Sequence, residues 1–268
     1  MNPMIKLPKV PIVAGRQDFV LDQCRGKRVL HLGCVDAGLL EERFSSGELL
    51  HQRLASVTSV LWGMDIDTEG ISFLREHGFA NLIVGDICYM NEVKELEDQT
   101  FDMILACEVV EHLMNPGLFL AAVKRLMEVD KTRLIVSVPN AFRIDTLVNL
   151  CHGYEYIHPD HNYWFSFVTL RNLLEKSCLT VESVYVYACQ PAGVLPNCLK
   201  RLFHRSAQSP TGAKENGGQP IVPNTTQPFH SKLISYMQTL PRRIIVSWLF
   251  GRTPFWGDGI IMVAKATA

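Results

Sequence analysis

Short apolar runs recur along this chain, each followed by a longer stretch in which apolar residues return at helical spacing. The runs at 28–32, 59–64, 80–84, 101–107, 133–138, 181–188 and 259–265 read as strands. The run at 101–107 is almost wholly apolar, as a strand covered on both faces should be. Between them, helices are predicted at 38–55, 69–77, 116–129, 141–150 and 170–177. Ser45, Ser46 and Gly47 mark a break in the first of these, and Gly78 marks the end of the second. Strand–helix alternation of this kind requires an α/β fold with a mostly parallel sheet and right-handed crossovers. Ahead of it lies an irregular arm with three prolines before Gly15, then a short capping helix.

About seventy residues separate the last two strands. Within them a helix at 195–205 precedes a polar, Pro/Gly-rich run, and an apolar helical stretch at 231–250 is interrupted by Pro241. The expected organisation is an arm with its capping helix (1–26), a core (27–190), an insertion (191–257) and a final core strand (258–268). The insertion suits a lid or a homodimer element, with membrane contact the lesser alternative.

Composition narrows the partners. A net charge of -1 gives no general positive field for nucleic acid, although nine basic residues against two acids follow Leu195. Eight cysteines form no CxxC pair, and several fall in or beside predicted strands, so free thiols in a reducing cytoplasm are expected rather than a disulfide framework. Neither a secretory leader nor a transmembrane segment is predicted, because no apolar run is long enough.

The chemistry gathers at the carboxyl ends of the first four core strands: the turn Gly33–Gly38, then Asp65, Asp86 and Glu108. An open parallel sheet binds ligands at that edge. A carboxylate after the second strand can accept from two ribose hydroxyls, and one after the third can accept from an exocyclic adenine amine. The GxGxxG spacing is absent, since the turn reads Gly33-Cys34-Val35-Asp36-Ala37-Gly38, and no phosphate loop occurs. A nucleoside with an amino-acid tail therefore fits better than a dinucleotide.

RVLHLGCVDAG, GMDID, VGDICY, FDMILACEVVEHLMNPGLF and RLIVSVPN together resemble the motifs of class I, Rossmann-like S-adenosylmethionine-dependent methyltransferases, in particular small-molecule O-methyltransferases. The resemblance implies a Rossmann-like seven-stranded, mostly parallel sheet flanked by helices, with a helical or loop insertion before the last strand. It implies S-adenosyl-L-methionine as cofactor, with Gly33 beside its methionine part, Asp65 and neighbouring Ile66 at the ribose, Asp86 and Ile87 near adenine and Glu108 at the rear wall. His31, Cys34, Asp36 and Gly38 complete the cofactor-binding set. His31 stands where an acid is usual, and Val35 and Ala37 where glycine is usual, so the turn is expected to differ in detail because a β-branched residue disfavours φ > 0.

Glu108, Glu111 and His112 share one side if they lie on a helix and, with His158, could hold a divalent metal. This arrangement resembles metal-dependent small-RNA 2'-O-methyltransferases and some quinone O-methyltransferases; the metal-free alternative is favoured. The loop YEYIHPDHNYWFS supplies His161 as first candidate base and His158 as second, with His112 nearby. Tyr154, Tyr156, Tyr163 and Trp164 are candidates to hold the acceptor, and His51 is expected to be structural or a distant cofactor contact. The leading reading is methyl transfer to a hydroxyl of a small metabolite, such as a sugar or natural product. The alternatives are N-methylation, RNA 2'-O-methylation and a methyltransferase-like scaffold without catalysis.

Overall fold

The computed structural model describes residues 4–155, 157–187 and 253–267. Among the described residues eight strands form one sheet: β1 (Ile12–Val13), β2 (Arg28–Leu32), β3 (Val60–Asp65), β4 (Leu82–Val84), β5 (Met103–Cys107), β6 (Arg133–Pro139), β7 (Leu179–Tyr187) and β8 (Gly259–Ala266). Their order is β1-β7-β8-β6-β5-β2-β3-β4. The expected seven strands are all present. The eighth is the two-residue β1, built from the arm and paired parallel to β7 through Ile12↔Val186 and Val13↔Tyr187. An isolated dipeptide among prolines carries no periodicity, which is why the arm reads as irregular.

Among the described strands only β8 runs against its neighbours, pairing antiparallel with both β6 and β7. The remaining strands are parallel, as the alternation requires. From β2 the chain moves outward to β3 and β4, then returns to place β5 on the other side of β2. That reversal makes the carboxyl ends of β2 and β5 the switch point, where an open sheet leaves a crevice for a ligand.

Among the described residues seven α-helices complete the framework: α1 (Arg16–Cys24), α2 (Leu40–Ser46), α3 (Leu50–Ala55), α4 (Thr68–Glu76), α5 (Pro116–Leu126), α6 (Ile144–Cys151) and α7 (Phe167–Lys176). The expected helix at 38–55 is two helices, because Gly47 takes a left-handed φ of 73° and its N–H closes α2. Alternate residues of β2 go to opposite faces. Leu30 and Leu32 join Ile104, Val136, Phe119 and Leu170 in one core, while Val29 joins Leu105, Ile135, Val20 and Leu54 in another. Among the described residues no helix is long and apolar enough to cross a membrane. The helices expected at 195–205 and 231–250 lie outside the described residues.

Candidate functional site

The turn after β2 is fixed by backbone geometry and by one close contact. Gly33 has φ 68°, and its N–H donates to the Met64 carbonyl at 2.9 Å. A Cβ there would lie 2.5 Å from Val109 Cγ2, so the segment after β5 packs directly on this turn. Gly38 also takes positive φ, whereas Val35 and Ala37 do not. The turn thus avoids the strain expected of valine at a glycine position. Val35 instead fills space against α4, where a Cβ on Gly70 would lie 2.2 Å from Val35 Cγ1.

Asp65, 9% exposed, stitches this turn to β3. Its Oδ2 accepts from Val35 N at 2.8 Å and its Oδ1 from Asp67 N at 3.1 Å. Burial pushes its carboxyl up from the ordinary range, and the two backbone donors pull against that. Asp67 caps α4 by accepting from Gly70 N at 3.0 Å. Between them Ile66 is 71% exposed, an apolar side chain held out at the sheet edge. Asp86 accepts from Cys88 N at 2.8 Å, and Ile87 beside it is buried. Cys34 is buried, its thiol raised by burial and then by Asp65, and Asp36 pairs with Arg43.

His31 is buried beneath the turn, with Nδ1 3.2 Å from Nδ1 of the equally buried His51. Such a pair needs one donor and one acceptor, so the two rings hold opposite tautomers. A Cβ on Gly63 would meet His51 Cε1 at 2.7 Å; glycine on β3 therefore makes room for the ring. Burial keeps both imidazoles neutral: it lowers His51 to about 4, and His31 falls well below its usual value through burial, His51 and Arg16. The structural reading of His51 agrees with this placement. His31 meets the turn from below, through the chain itself.

Glu108, next after β5, has a left-handed φ of 56°. Its Oε1 accepts from Ser137 Oγ at 3.0 Å and Tyr187 OH at 2.9 Å, with Arg16 Nη1 at 3.5 Å. Arg16 is the residue that sequence reasoning missed. Burial works against its charge, but Glu108, Cys107, Tyr187 and Asp36 more than compensate and raise its pKa. A basic residue directly after Gly15, opening the capping helix, was the available signal.

Val110–His112 form a single 3-10 turn, which places Glu111 inward and His112 outward rather than side by side. Glu111 is fully buried, and neither carboxylate oxygen has a hydrogen-bond partner among the described residues. Burial first, and Glu108 second, raise its carboxyl far above the ordinary range. Its backbone carbonyl anchors the histidine loop, accepting from Asn162 N at 2.8 Å and Tyr163 N at 3.3 Å. Asn162 Nδ2 donates to the His112 carbonyl at 2.8 Å, and Tyr163 OH to the Met114 carbonyl at 3.1 Å.

These bonds bring His112, His158 and His161 together, with one ligand atom of each within 4.8 Å of the others. The His112 and His161 rings meet edge-on at 4.5 Å between centroids. Burial, then His112 and His158, lower His161 to about 4, so it is an unprotonated imidazole at neutral pH. His112 is lowered by burial and His158. Trp164 Nε1 donates to Glu155 at 3.2 Å, Tyr154 is exposed, and Tyr156 lies outside the described residues.

A family model described as "Methyltransferase domain" matches residues 12–184. The ubiquinone biosynthesis O-methyltransferase of Glaesserella parasuis is 25% identical over 49% of this chain and 53% of its own length. The mitochondrial ubiquinone biosynthesis O-methyltransferase of Arabidopsis thaliana is 22% identical over 62% of this chain and 51% of its own length. The chain therefore spans about half the length of these curated relatives. A crystal structure of an S-adenosylmethionine-dependent methyltransferase from Archaeoglobus fulgidus covers 94% of this chain and 95% of its own, with TM-score 0.50 and 20% identity, a likeness of fold.

Proposed function

The chain belongs to the methyltransferase-domain family, and from that premise we propose that it transfers a methyl group from S-adenosylmethionine to a hydroxyl of a small molecule. One observation carries the reading. The Glu108–Val109 segment packs on Gly33, and four residues beyond Glu108 the chain reaches His112 in a cluster with His158 and His161. A candidate cofactor crevice and three converging imidazoles thus share one sheet edge.

The residues fit the cofactor. Gly33, Cys34, Asp36 and Gly38 form the turn that its methionine part would approach, supported from beneath by His31. Asp65 keeps lone pairs beyond its two backbone bonds for ribose hydroxyls, with Ile66 beside it. Asp86 and Ile87 would serve adenine. Glu108 suits the cofactor's ammonium and Arg16 its carboxylate, opposite charges 3.5 Å apart facing a zwitterion. When bound, S-adenosylmethionine supplies an activated methyl on a sulfonium leaving group.

The chain's own task is then alignment and proton removal. His161, unprotonated at neutral pH, is the base for the acceptor hydroxyl, with His158 second and His112 packed against both. Tyr154, Tyr156, Tyr163 and Trp164 would hold the acceptor. The relatives' names specify O-methylation, which supports oxygen over nitrogen. We place the protein in the cytoplasm, with the core at 27–190 completed by 258–268 and with 191–257 as a lid or homodimer element. Calorimetry with S-adenosylmethionine, followed by labelled-methyl transfer to a panel of small hydroxyl compounds, tests the proposal. Absence of cofactor binding would overturn it.

A second reading adds a divalent cation, on the observation that the three imidazoles converge with one ligand atom of each within 4.8 Å of the others. His112, His158 and His161 would hold it; Glu108 and Glu111, expected from the sequence as its acidic ligands, do not belong to the converging group among the described residues. A cation there would lower the pKa of a bound hydroxyl. Turnover that survives exhaustive chelation would exclude this reading.

A further inference from the structure

Glu108 carries a side chain in a left-handed conformation that few such residues adopt, so its surroundings must hold it there. Part of the support is local. Its N–H donates to the Ser137 carbonyl at 2.9 Å, and Ser137 Oγ donates to Oε1 at 3.0 Å from the neighbouring strand β6. The remaining hydroxyl comes from much farther away. Tyr187 ends β7, and the sheet order places β8 and β6 between β7 and β5.

For the Tyr187 hydroxyl to reach Oε1 at 2.9 Å, its ring must cross β8. The register puts Gly259, the first residue of β8, opposite both Tyr187 and Pro139. A Cβ on Gly259 would stand 2.1 Å from Tyr187 Cζ and its hydroxyl oxygen. Gly259 is therefore a slot through which the tyrosine passes. The slot is held in place as well, since Asp258 N donates to the Tyr187 carbonyl at 2.9 Å and Asn140 Nδ2 donates to the Phe255 and Gly257 carbonyls at 2.9 Å.

Among the described residues, the hydrogen bonds and the ion pair on this carboxylate all fall on Oε1. Oε2 is the oxygen left to meet a ligand. Tyr187 is buried, and its ring lies directly against Gly259 of β8. We infer that Tyr187, admitted by Gly259, is a positioning residue that orients Glu108 toward the amino-acid end of the cofactor. The inference rests on the reading that Glu108 meets S-adenosylmethionine. Tyr187 and Gly259 both lie beyond 184, where the family match ends, so the brace on Glu108 comes from outside the matched region.

A double-mutant cycle on cofactor affinity tests it, using the full chain, S-adenosylmethionine as titrant, and Glu108→Gln, Tyr187→Phe and the double variant. Tyr187→Phe keeps the ring and removes only the hydroxyl. Affinity is expected to fall about tenfold in Tyr187→Phe, more in Glu108→Gln, and no further in the double variant. Thermal midpoints are expected to stay within a few degrees of one another, which separates positioning from loss of fold. Wild-type affinity in Tyr187→Phe, or losses that simply add in the double variant, would overturn the inference while leaving Glu108 at the cofactor. Wild-type affinity in Glu108→Gln would overturn the placement of Glu108 itself.

Discussion

The two ends of the site treat their carboxylates in opposite ways. Toward the glycine turn, Asp65, Asp67 and Asp86 each accept from backbone N–H groups within or beside the loops they serve. Toward the histidine loop, Glu111 is more deeply buried than any of these and has no partner for either oxygen among the described residues. An unmade hydrogen bond in the interior is costly, whereas a carboxylate bonded to backbone amides rigidifies the chain. The glycine-turn end, where we propose the cofactor, is therefore built and held in place by the chain itself. The histidine end, where we propose the acceptor, keeps polar groups in reserve and depends on a loop to shape it.

The largest expected effect probes the foundation of the built end. The His31–His51 pair is neutral only while the interior keeps protons out. His51 in the fold titrates near 4 against 6.5 when unfolded, so the unfolded chain takes up protons more readily. Its stabilising contribution is whole above pH 6.5 and is lost as the pH falls toward 4. The loss is on the order of 3 kcal/mol. Urea unfolding at pH 7 and at pH 4.5 should show it in the wild type and show much less in a His31→Leu, His51→Phe double variant. Equal acid sensitivity in both would mean that the turn does not rest on a neutral pair.

At the other end, His161→Ala is expected to slow methyl transfer about a hundredfold, near the lower limit for loss of a general base. Cofactor affinity should be nearly unchanged, because His161 sits with His112 and His158 rather than on the glycine turn. Single-turnover rates with an identified acceptor, alongside calorimetry, separate the two quantities. A matching loss in affinity would show that the ends are coupled rather than distinct.

Asp65→Ala should do the converse. It removes the acceptor for ribose and frees the Val35 and Asp67 amides, so affinity for S-adenosylmethionine is expected to fall about thirtyfold, corresponding to about 2 kcal/mol. Asp65→Asn keeps one carbonyl acceptor and should lose less. Unchanged binding in the alanine variant would remove Asp65 from the cofactor site.

How much of this contrast the chain announces follows from the range of each interaction. β2 matches its expected 28–32 limits because one apolar run is bounded by charge and glycine, and the break at Gly47 follows from a residue that tolerates φ 73°. Asp65 and Asp86 are legible because each closely follows an apolar run, and Asp86 serves an amide only two residues on, whereas the bond from Val35 to Asp65 spans thirty residues. Such long-range pairings are not legible. His31 and His51 touch only because Gly63 on an adjacent strand leaves space, and Arg16 meets Glu108 across the switch point. The fate of Val35 shows the same limit: its side chain is accommodated by Gly70, a residue of α4 that the turn motif does not include.

The smallest effect bears on how the acceptor end is held. Tyr163 is partly exposed, and its hydroxyl donates to the Met114 carbonyl while its N–H and that of Asn162 reach the Glu111 carbonyl. Together these bonds pin the loop carrying His158 and His161 to the segment carrying His112. Tyr163→Phe removes one of them, a loss of about 1 kcal/mol spent on loop order rather than global stability. Hydrogen exchange should therefore quicken in 157–164 and stay unchanged in the glycine turn, with KM for the acceptor raised a few-fold and cofactor affinity unaltered. If exchange quickened equally at Val35 and Asp67, the turn and the histidine loop would open as one unit, and the division between a built end and a loop-shaped end would fail.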